Sequence, residues 1–278
     1  MAYRVPRYSH VHAAREMGAA GISLDGDSAH ADFPIDNLID DRAGTIFKFS
    51  ASVVNPNIEI DLGASFAADG LSGLSRLIIP RNHNIEEIGV FDDDAADFVG
   101  KTTLHATDSS VVAGQQIDIE FDTANSTQRF IQLAIVGTAQ FFLPQIFLTK
   151  IIFDSPTSPG PTLQRSPDGK RANFARQNQP TGQSPTVQLG PQQRLIEYDY
   201  ENPLEGADLT AMEALVDSVG MDRPFYVDPA SFSTPPETDE PVLWMKFEEM
   251  PSPNYSVLVP MSGTRSKNYT LRLIESLD

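Results

Sequence analysis

The 278 residues carry 38 Asp and Glu against 20 Lys and Arg, a formal net charge of -18, which excludes a surface built to grip nucleic-acid phosphates with clustered cations. Cysteine is absent, so disulfide staples, thiolate zinc sites and thiol catalysis are excluded together. Hydrophobic residues make up 40% of the chain, enough for a core, but no apolar run reaches the ~18 residues of a membrane-spanning helix, so membrane insertion is not expected.

In chain order, Met1 to Arg7 is charged with no apolar region behind it, so no secretory signal is expected, and the lack of cysteine fits a cytosolic origin or a particle assembled there. His10-Val11-His12 places two imidazoles on one face of an extended segment, a metal pair in principle, but no third ligand stands nearby and a solvated or partner-facing pair is the reading taken. Asp25-Gly26-Asp27 is turn chemistry. The segment Phe33-Pro34-Ile35-Asp36-Asn37-Leu38-Ile39-Asp40-Asp41 then gives a turn-rich entry and an acidic loop before Ile46-Phe47-Lys48-Phe49.

Strands are expected at Asn57 to Leu62, Ser75 to Pro80, Ile85 to Phe91, Gln116 to Phe121, Arg129 to Val136 and Phe147 to Phe153, a spacing that suits an all-β sandwich. Ile117, Ile119 and Phe121 alternate with Asp118 and Glu120, the two-residue period of a half-buried strand. Leu77-Ile78-Ile79 and Ile151-Ile152-Phe153 are unbroken apolar runs, as in strands covered on both faces. Gly70-Leu71-Ser72-Gly73 and Asp92-Asp93-Asp94 read as surface loops, the latter a solvated tip.

From Asp154 to Pro161 three prolines mark a stiff linker. The expected domains are therefore 1–155, a sandwich with an N-terminal arm, a linker at 156–162, and a smaller β-rich α+β domain at 163–278. In the second domain Gln177 to Pro185 reads as a long loop between Lys170-Arg171-Ala172-Asn173-Phe174-Ala175 and Arg194 to Tyr200. One helix is expected near 209–219, because Leu209, Met212, Leu215, Val216 and Val219 fall on one face. Thr210 to Glu213 has capping-box spacing, Asp208 competes as N-cap, and Gly220 is a stop. Strands follow at Pro224 to Pro229, Val242 to Phe247, Tyr255 to Val259 and Tyr269 to Glu275.

The order Asn37-Leu38-Ile39-Asp40-Asp41, aromatic, then Ile58-Glu59-Ile60-Asp61-Leu62-Gly63 resembles the discoidin-like, galactose-binding-fold jelly rolls over roughly residues 25 to 153. Ile79-Pro80-Arg81-Asn82-His83-Asn84-Ile85 is similar to a connection found in bacteriophage versions of that fold. Lys170-Arg171, Asn202-Pro203, Pro224 to Pro229 and Leu271 to Glu275 together resemble the element order of phage minor tail and distal tail proteins. These likenesses imply a non-enzymatic virion structural protein, a multimeric tail or tail-tip adaptor. It would form a homo-oligomeric ring with other tail proteins and sit in the virion tail after assembly in the host cytoplasm. A carbohydrate-binding module for host-surface glycans is the alternative.

The chain has no Gly-x-Ser-x-Gly elbow, no phosphate-cradling Gly-x-x-x-x-Gly-Lys and no Gly-x-Gly-x-x-Gly. All its histidines, His10, His12, His30, His83 and His105, lie in the first half, so catalysis by His is excluded from the second domain unless a neighbour supplies it, and no catalytic residue is assigned. His83 between two asparagines reads as a turn residue bonding its own loop. No cofactor is expected beyond what the resemblance implies, calcium held by Asp25, Asp27, Asp40 and Asp41; ordinary turn chemistry explains the same residues. For a sugar, stacking aromatics are needed, and Tyr3, Tyr8, Phe47 and Phe98 are the first-domain candidates, while Trp244 reads as core.

Overall fold

The computed structural model describes residues 7–10, 21–40, 45–63, 73–121, 126, 128–154, 162–165, 170–171, 174–176, 186–188, 193–221, 224–228, 243–251, 253 and 266–275. In chain order the strands are β1 (Arg7–His10), β2 (Ile22–Leu24), β3 (Phe47–Lys48), β4 (Val53–Val54), β5 (Asn57–Asp61), β6 (Arg76–Ile79) and β7 (Ile88–Asp93). They continue with β8 (Thr102–Asp108), β9 (Ile117–Glu120), β10 (Phe130–Ile135), β11 (Thr138–Ala139), β12 (Phe142–Leu143) and β13 (Phe147–Asp154). Then come β14 (Thr162–Arg165), β15 (Lys170–Arg171), β16 (Phe174–Arg176), β17 (Thr186–Gln188), β18 (Gln193–Glu205), helix α1 (Gly206–Val219), β19 (Phe225–Asp228), β20 (Leu243–Phe247) and β21 (Ser266–Glu275). The protein is mainly β, with one α-helix among the described residues, as its alternating segments require. Its chain contacts divide it into two units, Ser9–Ile152 and Met1–Tyr8 with Phe153–Leu277.

The Ser9–Ile152 unit is a β-sandwich. One sheet has the order β2-β5-β10-β7-β8 with every pair antiparallel. In the other, β6 pairs with β13 on one side and β9 on the other, again antiparallel. The two inner faces share one core: Ile58, Ile60, Ile88, Val90, Leu104, Ile131, Leu133 and Ile135 meet Leu77, Ile79, Ile117, Ile119 and Leu148. This follows from the pleat, which sends alternate side chains to opposite faces. In β9 Ile117 and Ile119 are buried while Asp118 and Glu120 are exposed. In β6 all four residues are buried, as its unbroken apolar run implied.

The same parity corrects the reading of Asp92-Asp93-Asp94 as a solvated tip. Asp92 and Asp93 are the last residues of β7 and both are buried. Asp92 lies in phase with Ile88 and Val90, which places its side chain on the core side, and only Asp94 is exposed.

In the Phe153–Leu277 unit β14, β18, β21, β20 and β19 form an antiparallel sheet in that order. Helix α1 lies against β18 and β21, and its buried residues are Leu209, Met212, Leu215, Val216 and Val219, the face read from the sequence. Gly220 ends it at φ +60°, a conformation costly for other residues. The helix start is a correction: it begins at Gly206, and its N-cap Glu205 makes no side-chain capping bond. Thr210 Oγ1 instead donates to Gly206 O (3.0 Å), and Glu213 accepts from Lys267 Nζ (2.6 Å), so neither serves a capping box. Asn202-Pro203 sits inside β18, where the ladder to β21 slips between Tyr200 and Leu204, consistent with a proline that has no N–H to donate. Trp244 is half-buried and its ring packs tilted at 42° against its cross-strand partner Tyr226, centroids 4.6 Å apart, while Leu243, Met245 and Phe247 fill the core face. The expected strand Tyr255 to Val259, the loop Gln177 to Pro185 and linker residues 155–161 lie outside the described residues.

Candidate functional site

One end of the sandwich is built from segments too short and irregular to show a period. Residues 28–34 fold back on β3: His30 N–H donates to Lys48 O (2.8 Å), Lys48 N–H to Phe33 O (3.3 Å), Phe33 N–H to His30 O (3.0 Å) and Ser50 N–H to Ser28 O (2.9 Å). Pro34 then leads into a 3-10 turn, Ile35–Leu38, whose Leu38 is fully buried. Asn37 Nδ2 donates to Ile46 O (2.8 Å) and Ile146 N–H to Leu38 O (2.9 Å). The Asn-Leu-Ile-Asp segment is therefore a plug that fixes β3 in place.

Phe47 and Phe49 are both fully buried and meet edge to face at 4.9 Å, so the pleat turns Lys48 between them outward. In the β3–β12 ladder Lys48 stands opposite Phe142 and Phe47 opposite Leu143. Lys48 and half-buried Phe142 thus share the outer face, at the short side-chain separation of direct cross-strand partners. Lys48 Nζ lies 5.9 Å from the Phe33 ring centroid, and the His30 ring is 5.4 Å from Phe33 at 51°. Asp32 N–H donates to His30 Nδ1 (3.2 Å), so a neutral His30 carries its proton on Nε2 and presents a donor. The Asp32 carboxylate is 83% exposed, 3.9 Å from the imidazole. Among the described residues Lys48 Nζ forms no ion pair, in a chain where acids outnumber bases 38 to 20.

The opposite wall is clasped by the Asn82-His83-Asn84 segment. Asn82 adopts φ +84°, a left-handed turn that asparagine tolerates. Asn84 Oδ1 accepts from Phe142 N–H (2.9 Å) and its Nδ2 donates to Gln140 O (3.3 Å). Gln140 Nε2 in turn donates to Phe49 O (2.9 Å), and Phe49 N–H to Phe141 O (3.0 Å). His83 is 2% exposed, donates from Nε2 to Gln115 O and accepts Ile85 N–H at Nδ1 (3.2 Å). Burial pushes its imidazole below the ordinary histidine value, against those two backbone bonds. His83 therefore bonds its own loop, as read, and also a second loop. The patch so assembled has two half-buried phenyl rings beside an ammonium, an imidazole and a carboxylate, a set able to stack on an apolar ring face and bond hydroxyls around it.

At the far end, Asp61 Oδ1 accepts from Gly63 N–H (2.7 Å), and Arg129 grips the same carboxylate through Nε (2.7 Å) and Nη2 (2.8 Å). The bonds from Arg129 hold Asp61 below the usual carboxylate range, and Asp-Leu-Gly is a strand terminator.

The sequence candidates disperse. Asp25 Oδ2 accepts from Asn57 Nδ2 (3.4 Å), and Asp40 Oδ1 from Thr45 Oγ1 (2.8 Å). Asp41 lies outside the described residues, as do Tyr3 and His12. Among the described residues no three His, Asp or Glu side chains converge on a position for a metal ion. Asp25, Asp27 and Asp40 thus supply no three-carboxylate set among the described residues. Phe47 and Phe98 are buried, Phe98 edge-on to Phe130 at 6.5 Å, so neither offers a face to a sugar. Phe33, His30, Lys48 and Phe142 escaped sequence reasoning; the alternation Phe47-Lys48-Phe49 was the one local sign that Lys48 faces out.

No family profile and no curated protein matches the chain. Several solved structures do. Chitosan-binding module 1 from a chitosanase/glucanase of Paenibacillus sp. IK-5 is similar at 15% identity and TM-score 0.37, over 47% of this chain and 92% of that one. The family 32 carbohydrate-binding module from C. perfringens NanJ, solved with galactose, is similar at 14% identity and TM-score 0.37, over 46% of this chain and 91% of that one. SpGH29 is similar at 17% identity and TM-score 0.36, over 47% of this chain and 27% of that one.

Proposed function

We propose that the Ser9–Ile152 unit is a non-catalytic carbohydrate-binding module whose ligand rests on the Phe33, Phe142 and Lys48 patch. The observation that carries this reading is the pairing of two half-buried phenyl rings with an outward ammonium that has no ion pair among the described residues of a strongly acidic chain. A pyranose presents an apolar C–H face and a rim of hydroxyls. The rings take the face, while Lys48 Nζ and His30 Nε2–H donate to hydroxyl oxygens and Asp32 accepts from them. A glycan array that includes galactose, GalNAc and chitooligosaccharides, probed with the full chain and with Lys48→Ala, tests it. Saturable binding lost in the variant supports the module; an array blank for both chains refutes it.

A second reading, a tail or tail-tip adaptor in a phage virion, is supported by the order of elements in the other unit. Strand β15 with Lys170-Arg171, β18 with Asn202-Pro203, α1, β19 and β21 follow one another as in the resemblance drawn from the sequence. On this reading the chain assembles as a homo-oligomeric ring with other tail proteins, in the virion. Electron microscopy showing closed rings of the full chain supports it, and a monomer both alone and within particles refutes it.

A further inference from the structure

We propose that Asn84 is the positioning residue for the Phe142 wall of the ligand patch, and that His83, held in its neutral form by two main-chain partners, makes that positioning acid-sensitive. This rests on the carbohydrate reading for its consequence, but not for its geometry. The imidazole has one state that satisfies its surroundings: Nε2 must donate to Gln115 O and Nδ1 must accept from Ile85 N–H. A second proton on Nδ1 would face the Ile85 N–H directly, two donors with no acceptor between them, in a ring that is 2% exposed.

Among the described residues no charged side chain acts on the ring. On the ring's own loop Arg81 and Glu86 are exposed and Glu87 is half-buried, and none of them pairs with the ring. The facing segment Val111, Val112, Ala113, Gly114, Gln115 and Gln116 has no charged side chain, and its Gly114 N–H donates to His83 O (2.9 Å). The segment 139–142, held by the next residue, has none either.

Asn84 lies between the two residues of the His83–Ile85 bond, so that bond fixes the backbone from which Asn84 reaches Phe142 N–H and Gln140 O. Gln140 passes the restraint to Phe49 O, one residue from Lys48. Breaking the Nδ1 bond therefore loosens both walls of the patch. The sign is fixed by burial: the folded ring resists protonation, so the neutral state persists somewhat below the ordinary pKa of ~6.5 and is lost as the pH falls further.

The test is an NMR titration of the ligand-free full chain from pH 8 to pH 4.5, following the His83 ring and the Phe142 and Gln140 amides. The expected result is that Phe142 shifts with the His83 midpoint, below that of an exposed histidine, and that His83→Gln abolishes the shift while His30→Gln leaves it. A Phe142 amide unmoved while His83 titrates, or a shift that survives His83→Gln, would overturn the inference. In parallel, binding of the array's best sugar should weaken more from pH 7 to pH 5 in the wild type than in His83→Gln; an undiminished pH dependence in His83→Gln contradicts it. If no sugar binds at all, the carbohydrate reading fails while the NMR result still decides the coupling.

Discussion

Replacing Asp92 with Asn should stabilise this protein, although it removes a buried hydrogen-bonding carboxylate. Asp92 is 4% exposed; Ser126 Oγ donates to Oδ2, and among the described residues Oδ1 has no partner. Ser126 cannot serve both oxygens, because its hydroxyl has one proton to donate, and its Oγ also accepts from Gln128 N–H. Burial therefore raises the Asp92 pKa, and the neighbouring charge of Asp93 adds to the rise, against the lowering by Ser126. A carboxyl whose folded pKa exceeds its unfolded value of ~3.8 favours the fold only while protonated. Its penalty grows as the pH rises from that value through the folded pKa. An orphaned buried acceptor costs ~1–3 kcal/mol, more if charged, and Asn keeps the bond to Ser126 while removing the charge. The expected gain is ~1 kcal/mol at pH 7, or ~2–4 °C in Tm for a domain of this size. It should shrink toward zero below pH ~4, where the wild-type carboxyl is protonated. Thermal unfolding of both chains from pH 7 to pH 3.5 measures it. A destabilised Asp92→Asn at pH 7, or a difference independent of pH, would show that the carboxylate is compensated and the burial argument wrong.

Other variants probe separate links. Asn84→Ala removes the bonds to Phe142 N–H and Gln140 O and should cost ~1–3 kcal/mol in chemical denaturation, with the patch more affected than the sheets in hydrogen exchange. Leu133→Ala, at the centre of β10 and fully buried between β5 and β7, should cost ~3–5 kcal/mol by transfer and cavity formation, seen as a lower denaturant midpoint. The Arg129–Asp61 fork is bidentate, but its side chains are 43% and 35% exposed, so a double-mutant cycle should give a small coupling that falls as salt is added, and a coupling unchanged by salt would contradict this.

Where side chains follow a period, the fold was legible. The five apolar residues of α1 and the alternation of β9 were read as the structure places them, because burial there repeats every 3.6 or 2 residues. Asp92 and Asp93 misled because three acids in a row resemble a tip, whereas pleat parity continues from Ile88 and Val90 to the end of β7. The helix start misled for a similar reason: Thr210 and Glu213 have capping spacing, yet one bonds back into the helix and the other reaches β21. The candidate site was illegible, since it is made of two-residue strands and a turn. The contact that shapes it, Asn84 to Phe142, joins positions 58 residues apart that share no local pattern. What the sequence offered instead was exposed-looking aromatics, and Phe47 and Phe98 went to the core.

The central claim is that the Phe33, Lys48 and Phe142 patch holds a sugar, and calorimetric titration of the full chain tests it most directly, with galactose, GalNAc and chitotriose in turn. The account predicts saturable heat with at least one of them, abolished by Lys48→Ala and by Phe33→Ala at unchanged melting temperature. Saturable binding that survives both substitutions, or no heat from any of the three sugars, would contradict it.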